Sequence, residues 1–108
     1  MKTEFEELFD TINDRKSNPE EGSYTAYLFD KGVEKICKKV GEEATETIIA
    51  AIKDDKEELV CEISDVIYHL FVLMAERGVT LQDVENELAK RSLKKGNLKT
   101  ERKPVTKY

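Results

Sequence analysis

Residues 33–77 read VEKICKKVGEEATETIIAAIKDDKEELVCEISDVIYHLFVLMAER, and this stretch decides the fold. Val33, Ile36, Cys37, Val40, Ala44, Ile48, Ala51 and Ile52 recur at helical spacing, which predicts a helix from Val33 to about Lys53 with that set as its apolar stripe. Asp54-Asp55 is a polar break that also supplies an N-cap, and Glu57 and Glu58 suit the dipole of the helix that follows. That helix runs from about Lys56 to Arg77 and is apolar on most sides between Ile63 and Ala75. A helix apolar all round is buried on all sides. A chain of 108 residues has too few other elements to cover it. The expectation is therefore an all-α helical bundle built on a central antiparallel hairpin and completed by homo-oligomerisation, with a dimer as the expected assembly.

The flanks agree with this. Thr3 and Glu6 form a capping box ahead of Phe5, Leu8, Phe9 and Ile12, which share one helical face. Residues 16–22 read as a loop, Ser23 as the N-cap of a short helix ended by Gly32, and Thr80 as the cap of a last helix reaching about Arg91. No strand pattern or repeat competes. Residues 1–92 are expected to fold as one domain, and residues 93–108 to be a basic, flexible C-terminal tail.

Composition narrows the function. The net charge is −5, with 23 acids against 18 bases. Such a chain lacks the basic surface that a general nucleic-acid binder needs to displace counterions. Its apolar runs fall short of a membrane span, and its N-terminus is acidic where a secretory signal is basic. Two cysteines, Cys37 and Cys61, make no disulfide framework, so a reducing, cytoplasmic setting is expected, with both as small core residues. The charge is also uneven. Residues 1–89 hold twenty-two acids against ten bases, and residues 90–108 hold eight bases against one acid.

Five of those acids stand on the hairpin. Glu46 and Glu62 each lie about eight residues from the Asp54-Asp55 turn, and Glu42, Glu43 and Asp65 about eleven or twelve. At 1.5 Å rise per residue the two arms bring these carboxylates to similar heights across one seam. A solvated acidic face would explain them on composition alone. Glu42 and Glu43 do have Lys38 and Lys39 four residues back. Glu46, Glu62 and Asp65, however, have no base within helical reach and lie among apolar residues. Carboxylates packed at a seam repel one another and lose hydration unless a cation joins them. An all-oxygen ligand set suits Mg²⁺ or Mn²⁺, and Mg²⁺ commonly binds a few carboxylates plus substrate phosphates.

Glu42-Glu43-x-x-Glu46 followed by Glu62-x-x-Asp65 resembles the EExxE…ExxD signature of the all-α, MazG-like NTP pyrophosphohydrolases. The surroundings narrow the likeness. GSYTAYLFDKG at 22–32, KICKKVGEEATE at 35–46 and ELVCEISDVIYHLFVLMAERGVTLQDVENELAKR at 58–91 together resemble the phosphoribosyl-ATP pyrophosphohydrolase family over about residues 3–92. The Lys-rich tail is longer than that pattern, and the cyclohydrolase domain sometimes fused ahead is not among these residues. The resemblance implies Mg²⁺-dependent hydrolysis of phosphoribosyl-ATP to phosphoribosyl-AMP and pyrophosphate in histidine biosynthesis, in an active site drawing on more than one subunit. It implies Glu43, Glu46, Glu62 and Asp65 as metal ligands, with Glu42 a further ligand or the base that orients the water. Lys38 or Lys39 and Ser23 become phosphate contacts, and Arg77 a substrate contact.

Each of these has a plainer reading. Lys35, Lys38 and Lys39 pair with helix-surface acids, Ser23 is a cap, Tyr24 a core aromatic, and Arg77 complements a helix C-terminus. His69, four residues after Asp65, reads as a hydrogen-bonded core residue, and Gly41 as a site of close helix packing. The rival functions are another nucleoside triphosphate pyrophosphohydrolase of the same superfamily, a di-iron bundle and a non-enzymatic helical module. The di-iron bundle is disfavoured because its ExxH pairs are missing.

Overall fold

The computed structural model describes residues 1–93, and among them it forms five helices and no strand: α1 (Glu4–Ser17), α2 (Tyr24–Lys31), α3 (Val33–Ile52), α4 (Lys56–Arg77) and α5 (Leu81–Leu93). The all-α expectation holds. Met1–Gly78 make one compact unit and the chain from Val79 another. α5 runs to Leu93, and the rest of the expected tail, residues 94–108, lies outside the described residues.

Local signals set the helix boundaries. The Thr3 hydroxyl accepts from the Glu6 N–H at 3.1 Å while the Glu6 carboxylate accepts from the Thr3 N–H at 2.8 Å. Ser23 Oγ accepts from the Ala26 N–H at 3.1 Å, and Asp55 Oδ1 from the Glu58 N–H at 3.0 Å. Each pair satisfies a backbone donor that the first turn leaves orphaned. α4 ends where Gly78 turns left-handed at φ 76°, a conformation glycine adopts without Cβ strain. Asp54 takes a left-handed φ of 60° in the α3–α4 turn, which an aspartate tolerates better than most residues.

α3 packs chiefly on α4, and α1 closes over α4. The buried line of α3 is Ile36, Glu43 and Ala50. Seven-residue steps advance two turns and return to nearly the same side of a helix. Phe71 of α4 meets the rings of Phe9 and Phe5 edge-on at 5.5 and 6.3 Å. Ile12, Leu28, Ile36 and Val72 are fully enclosed. Lys16 of α1 donates through Nζ to the Ala75 carbonyl at 2.8 Å, supplying a cation to the C-terminal turn of α4.

Several expectations change. Ile48, Ala51 and Ile52 of the expected α3 stripe are exposed, because the buried line passes through Glu43 and Ala50 instead. α4 leaves Val60, Ile63 and Leu70 exposed, which agrees with the expectation that one chain cannot cover it. Cys37 and Cys61 are exposed too, and Cys37 stands one residue, about 100°, off the buried line at Ile36. Gly41 serves no close approach, since a Cβ there meets nothing within 4 Å. Tyr24 is 45% exposed rather than a core aromatic.

Gly41→Ala should raise the stability of the isolated chain by about 0.5–1 kcal/mol, because helix propensity improves without a clash. Ile36→Ala should cost about 2–5 kcal/mol. Urea titration followed by circular dichroism at 222 nm measures both.

Candidate active site

Glu43, Glu62 and Asp65 converge where α3 faces α4. Each offers a carboxylate oxygen, and the three oxygens lie within 4.8 Å of one another. Glu43 arrives there because it occupies the buried line of α3, at 8% exposure. Glu62 and Asp65 are three residues apart on α4, so they share a face one turn apart. One Mg²⁺ with oxygens at about 2.1 Å holds neighbouring ligands about 3 Å apart and opposite ones about 4.2 Å apart.

Glu62 Oε1 is fully buried without a hydrogen-bond partner. Burial, followed by the charges of Glu46, Glu43 and Asp65 and a hydrogen bond with Glu43, raises the Glu62 carboxyl above its ordinary titration range. An orphaned carboxylate oxygen facing two more carboxylates lacks positive charge. A divalent ion would supply it, and the all-oxygen donor set fits a hard cation.

The remaining sequence candidates occupy different places. Glu46 is exposed and stands outside the triad, although its charge acts on Glu62. Three residues beyond Glu43, it is turned about 60° away from the buried line. Glu42 is also exposed, and Lys39 Nζ bridges it at 3.3 Å and Glu43 at 3.6 Å. Those contacts raise the Lys39 ammonium above its ordinary value, led by the hydrogen bond to Glu42. Lys38 is exposed and has no ion pair among the described residues. Ser23 caps α2 with its oxygen lone pair and keeps its O–H proton available as a donor. Arg77, twelve residues beyond Asp65, lies about 18 Å along α4. One chain therefore does not bring it to the carboxylates.

The structure adds a connection that spacing did not reveal. Tyr24 Oη lies 3.0 Å from His69 Nε2, and His69 Nδ1 lies 2.7 Å from the Asp65 carbonyl oxygen. Thr25 bonds Tyr68 through their hydroxyls. Two successive residues of α2 are thereby tied to two successive residues of α4, beside the acids. His69 was legible as a hydrogen-bonded core residue, and at 4% exposure it is one. Its partner, 45 residues away, left no local signal.

A separate cleft of about 610 Å³ lies at the α1–α2 loop, lined by Pro19, Gly22, Ser23, Tyr24, Ala26 and Tyr27 with Glu20, Glu21 and Asp30. It contains none of the five hairpin acids.

The comparisons with known proteins agree with this geometry. The family model for Phosphoribosyl-ATP pyrophosphohydrolase matches residues 5–92. A phosphoribosyl-ATP pyrophosphatase of Clostridium novyi (strain NT) is 56% identical over 100 residues, covering 93% of this chain and 91% of that protein. One from Clostridium acetobutylicum is 57% identical over 98 residues, covering 91% and 89%. The histidine biosynthesis bifunctional protein HisIE of Caldanaerobacter subterraneus subsp. tengcongensis is 60% identical over 84 residues, 78% of this chain but 41% of that longer protein. With the match spanning all four helices of the hairpin unit and both carboxylate-bearing arms, this chain belongs to the phosphoribosyl-ATP pyrophosphohydrolase family.

Proposed function

We propose that this chain hydrolyses phosphoribosyl-ATP to phosphoribosyl-AMP and pyrophosphate, a step of histidine biosynthesis, using Mg²⁺ held by Glu43, Glu62 and Asp65. The buried, unpartnered Glu62 oxygen inside a three-carboxylate cluster carries this reading. Bound Mg²⁺ draws charge from phosphoryl oxygens and makes water more acidic, and Mn²⁺ has the chemistry to replace it.

The chain's own groups do the positioning. Glu46 shapes the field at Glu62 from just outside the triad and would help to hold the ion there. Glu42, exposed and held by Lys39, is placed to orient the attacking water. Lys38, together with Lys39 once its acids are neutralised, offsets the substrate's phosphate charge, and the Ser23 hydroxyl donates to a phosphate oxygen.

The assembly we propose is a homodimer in the cytoplasm. Phe5, Ile48, Ile49, Ile52, Val60 and Ile63 are exposed on the hairpin unit, and Phe5, Leu8, Val60, Ile63 and Ile67 line an apolar groove of about 490 Å³. A second subunit covers such a surface and is the route by which Arg77 reaches a site on its partner. No helix among the described residues is long and apolar enough to cross a membrane.

A pyrophosphate-release assay tests the activity. Phosphoribosyl-ATP should turn over rapidly only with Mg²⁺ or Mn²⁺, while deoxynucleoside triphosphates turn over slowly; the reverse preference defeats the assignment. Glu62→Gln and Asp65→Asn should each lower kcat/KM by about 10²–10³-fold, a loss of several kcal/mol of transition-state stabilisation. Glu46→Gln should lose about 10–100-fold, as expected of an outer ligand-orienting group.

The raised Glu62 pKa sets a pH signature. Above the ordinary value of 4.5 the unfolded chain releases this proton while the metal-free native chain retains it. The native state then binds more protons, so stability falls as pH rises through the native titration. Glu62→Gln should therefore raise the Tm of metal-free protein at pH 7, and the gain should vanish below about pH 4. Mg²⁺ should raise the Tm of the wild type and not of the variant. Sedimentation equilibrium should give a dimer that Ile63→Asp dissociates.

A further inference from the structure

The direction of the bond between Tyr24 and His69 follows from the tautomer of the ring. The Asp65 carbonyl oxygen, 2.7 Å from His69 Nδ1, can only accept, so Nδ1 carries the ring proton. In that tautomer Nε2 is an acceptor. Tyr24, 3.0 Å away, must donate its hydroxyl proton to it. The Tyr24 oxygen is left with lone pairs and no proton to give. It cannot serve a phosphate oxygen, which is itself an acceptor, and it can receive an O–H.

The ring is held between α2 and α4. Tyr24 begins α2, stacks at 6.1 Å on Tyr68 of α4 and sits edge-on to His69 at 5.8 Å. Its neighbours Thr25 and Tyr68 join through their hydroxyls, so the ring has a second tether. Tyr27 also stacks on the ring at 6.1 Å, and Tyr24 remains 45% exposed. The hydroxyl lies within electrostatic reach of Lys39, Glu43 and Glu42, and burial keeps its proton on. It is thus beside the carboxylate cluster without belonging to it. With the phosphate chain seated at the carboxylates, the group next along the substrate is a sugar.

We propose that His69 is a positioning residue for this reaction: by accepting the Tyr24 O–H and anchoring on the Asp65 carbonyl, it fixes Tyr24 as an acceptor for a ribose hydroxyl of the nucleotide. The inference rests on the proposed pyrophosphohydrolase activity and adds the sugar contact to it.

Steady-state kinetics on the full-length protein with saturating Mg²⁺ tests it, using phosphoribosyl-ATP and its 2′-deoxy and 3′-deoxy analogues in the ATP ribose. Tyr24→Phe removes the hydroxyl and keeps the ring. His69→Asn keeps a donor for the Asp65 carbonyl and loses the Tyr24 acceptor, whereas His69→Gln extends an amide oxygen toward Tyr24. Tyr24→Phe and His69→Asn should each raise KM by about 3–10-fold with kcat within about twofold, the range of one lost neutral hydrogen bond. His69→Gln should restore KM toward wild type. Wild type should disfavour one of the deoxy substrates, and Tyr24→Phe should erase that preference. A fall in kcat at constant KM overturns the proposal. So does a His69→Gln variant as impaired as His69→Asn, or a deoxy preference that survives Tyr24→Phe. A wild type inactive on phosphoribosyl-ATP overturns the functional assignment itself, an outcome distinct from any variant pattern on an active wild type.

Discussion

Three carboxylates share one helix–helix seam, and the rest of the hairpin unit is arranged around keeping them there. Glu43, Glu62 and Asp65 repel one another, and one Glu62 oxygen lacks even a hydrogen bond. Left alone, such a seam opens or takes up a proton. It is held by apolar packing on either side: Ile36 and Ala50 share the line of Glu43, and Phe71, Val72 and Ala75 enclose α4 beyond Asp65. The folded state of the metal-free chain is under electrostatic tension that a cation relieves. Binding and stability are then the same free energy seen from two sides.

The short helix α2 is the second consequence of that arrangement. Eight residues are too few to be stable as an isolated helix. α2 persists because Ser23 caps it, Leu28 is fully enclosed, and Tyr24 and Thr25 are bonded to α4. The tether lands on the same turns that carry Asp65. α2 is thereby registered against α4, and Tyr24 lies within electrostatic reach of Glu42 and Glu43. The bonds are polar and directional, which fixes an orientation that apolar contact alone leaves free.

Most of the hairpin was legible in the sequence. Periodicity, the Asp54-Asp55 break and the capping residues give α3 and α4 nearly to the residue, because each signal acts locally. The convergence of Glu43, Glu62 and Asp65 follows from counting residues out from the turn. Spacing did not separate Glu43 from Glu46, since both lie near one face and only the rotation of α3 against α4 decides which is buried. Burial was over-read for the same reason. Ile48, Ile52, Cys37 and Cys61 are apolar, but apolarity does not tell a core position from a surface that awaits a partner. The Tyr24–His69 bond joins residues 45 apart and has no signature short of the fold.

Asp54, in its left-handed conformation between α3 and α4, constrains how this chain can vary. Loops commonly absorb insertions at little energetic cost, because closing a slightly longer loop loses little entropy. This turn is different in kind. Adding one residue to the end of α3 or the start of α4 rotates one arm by about 100° and slides it about 1.5 Å against the other. Both helices would survive such a change, as would most of their apolar contacts after repacking, yet Glu43 would no longer face Glu62 and Asp65. The length of this turn is therefore part of the candidate site, although the turn itself lies about two helical turns or more from the carboxylates.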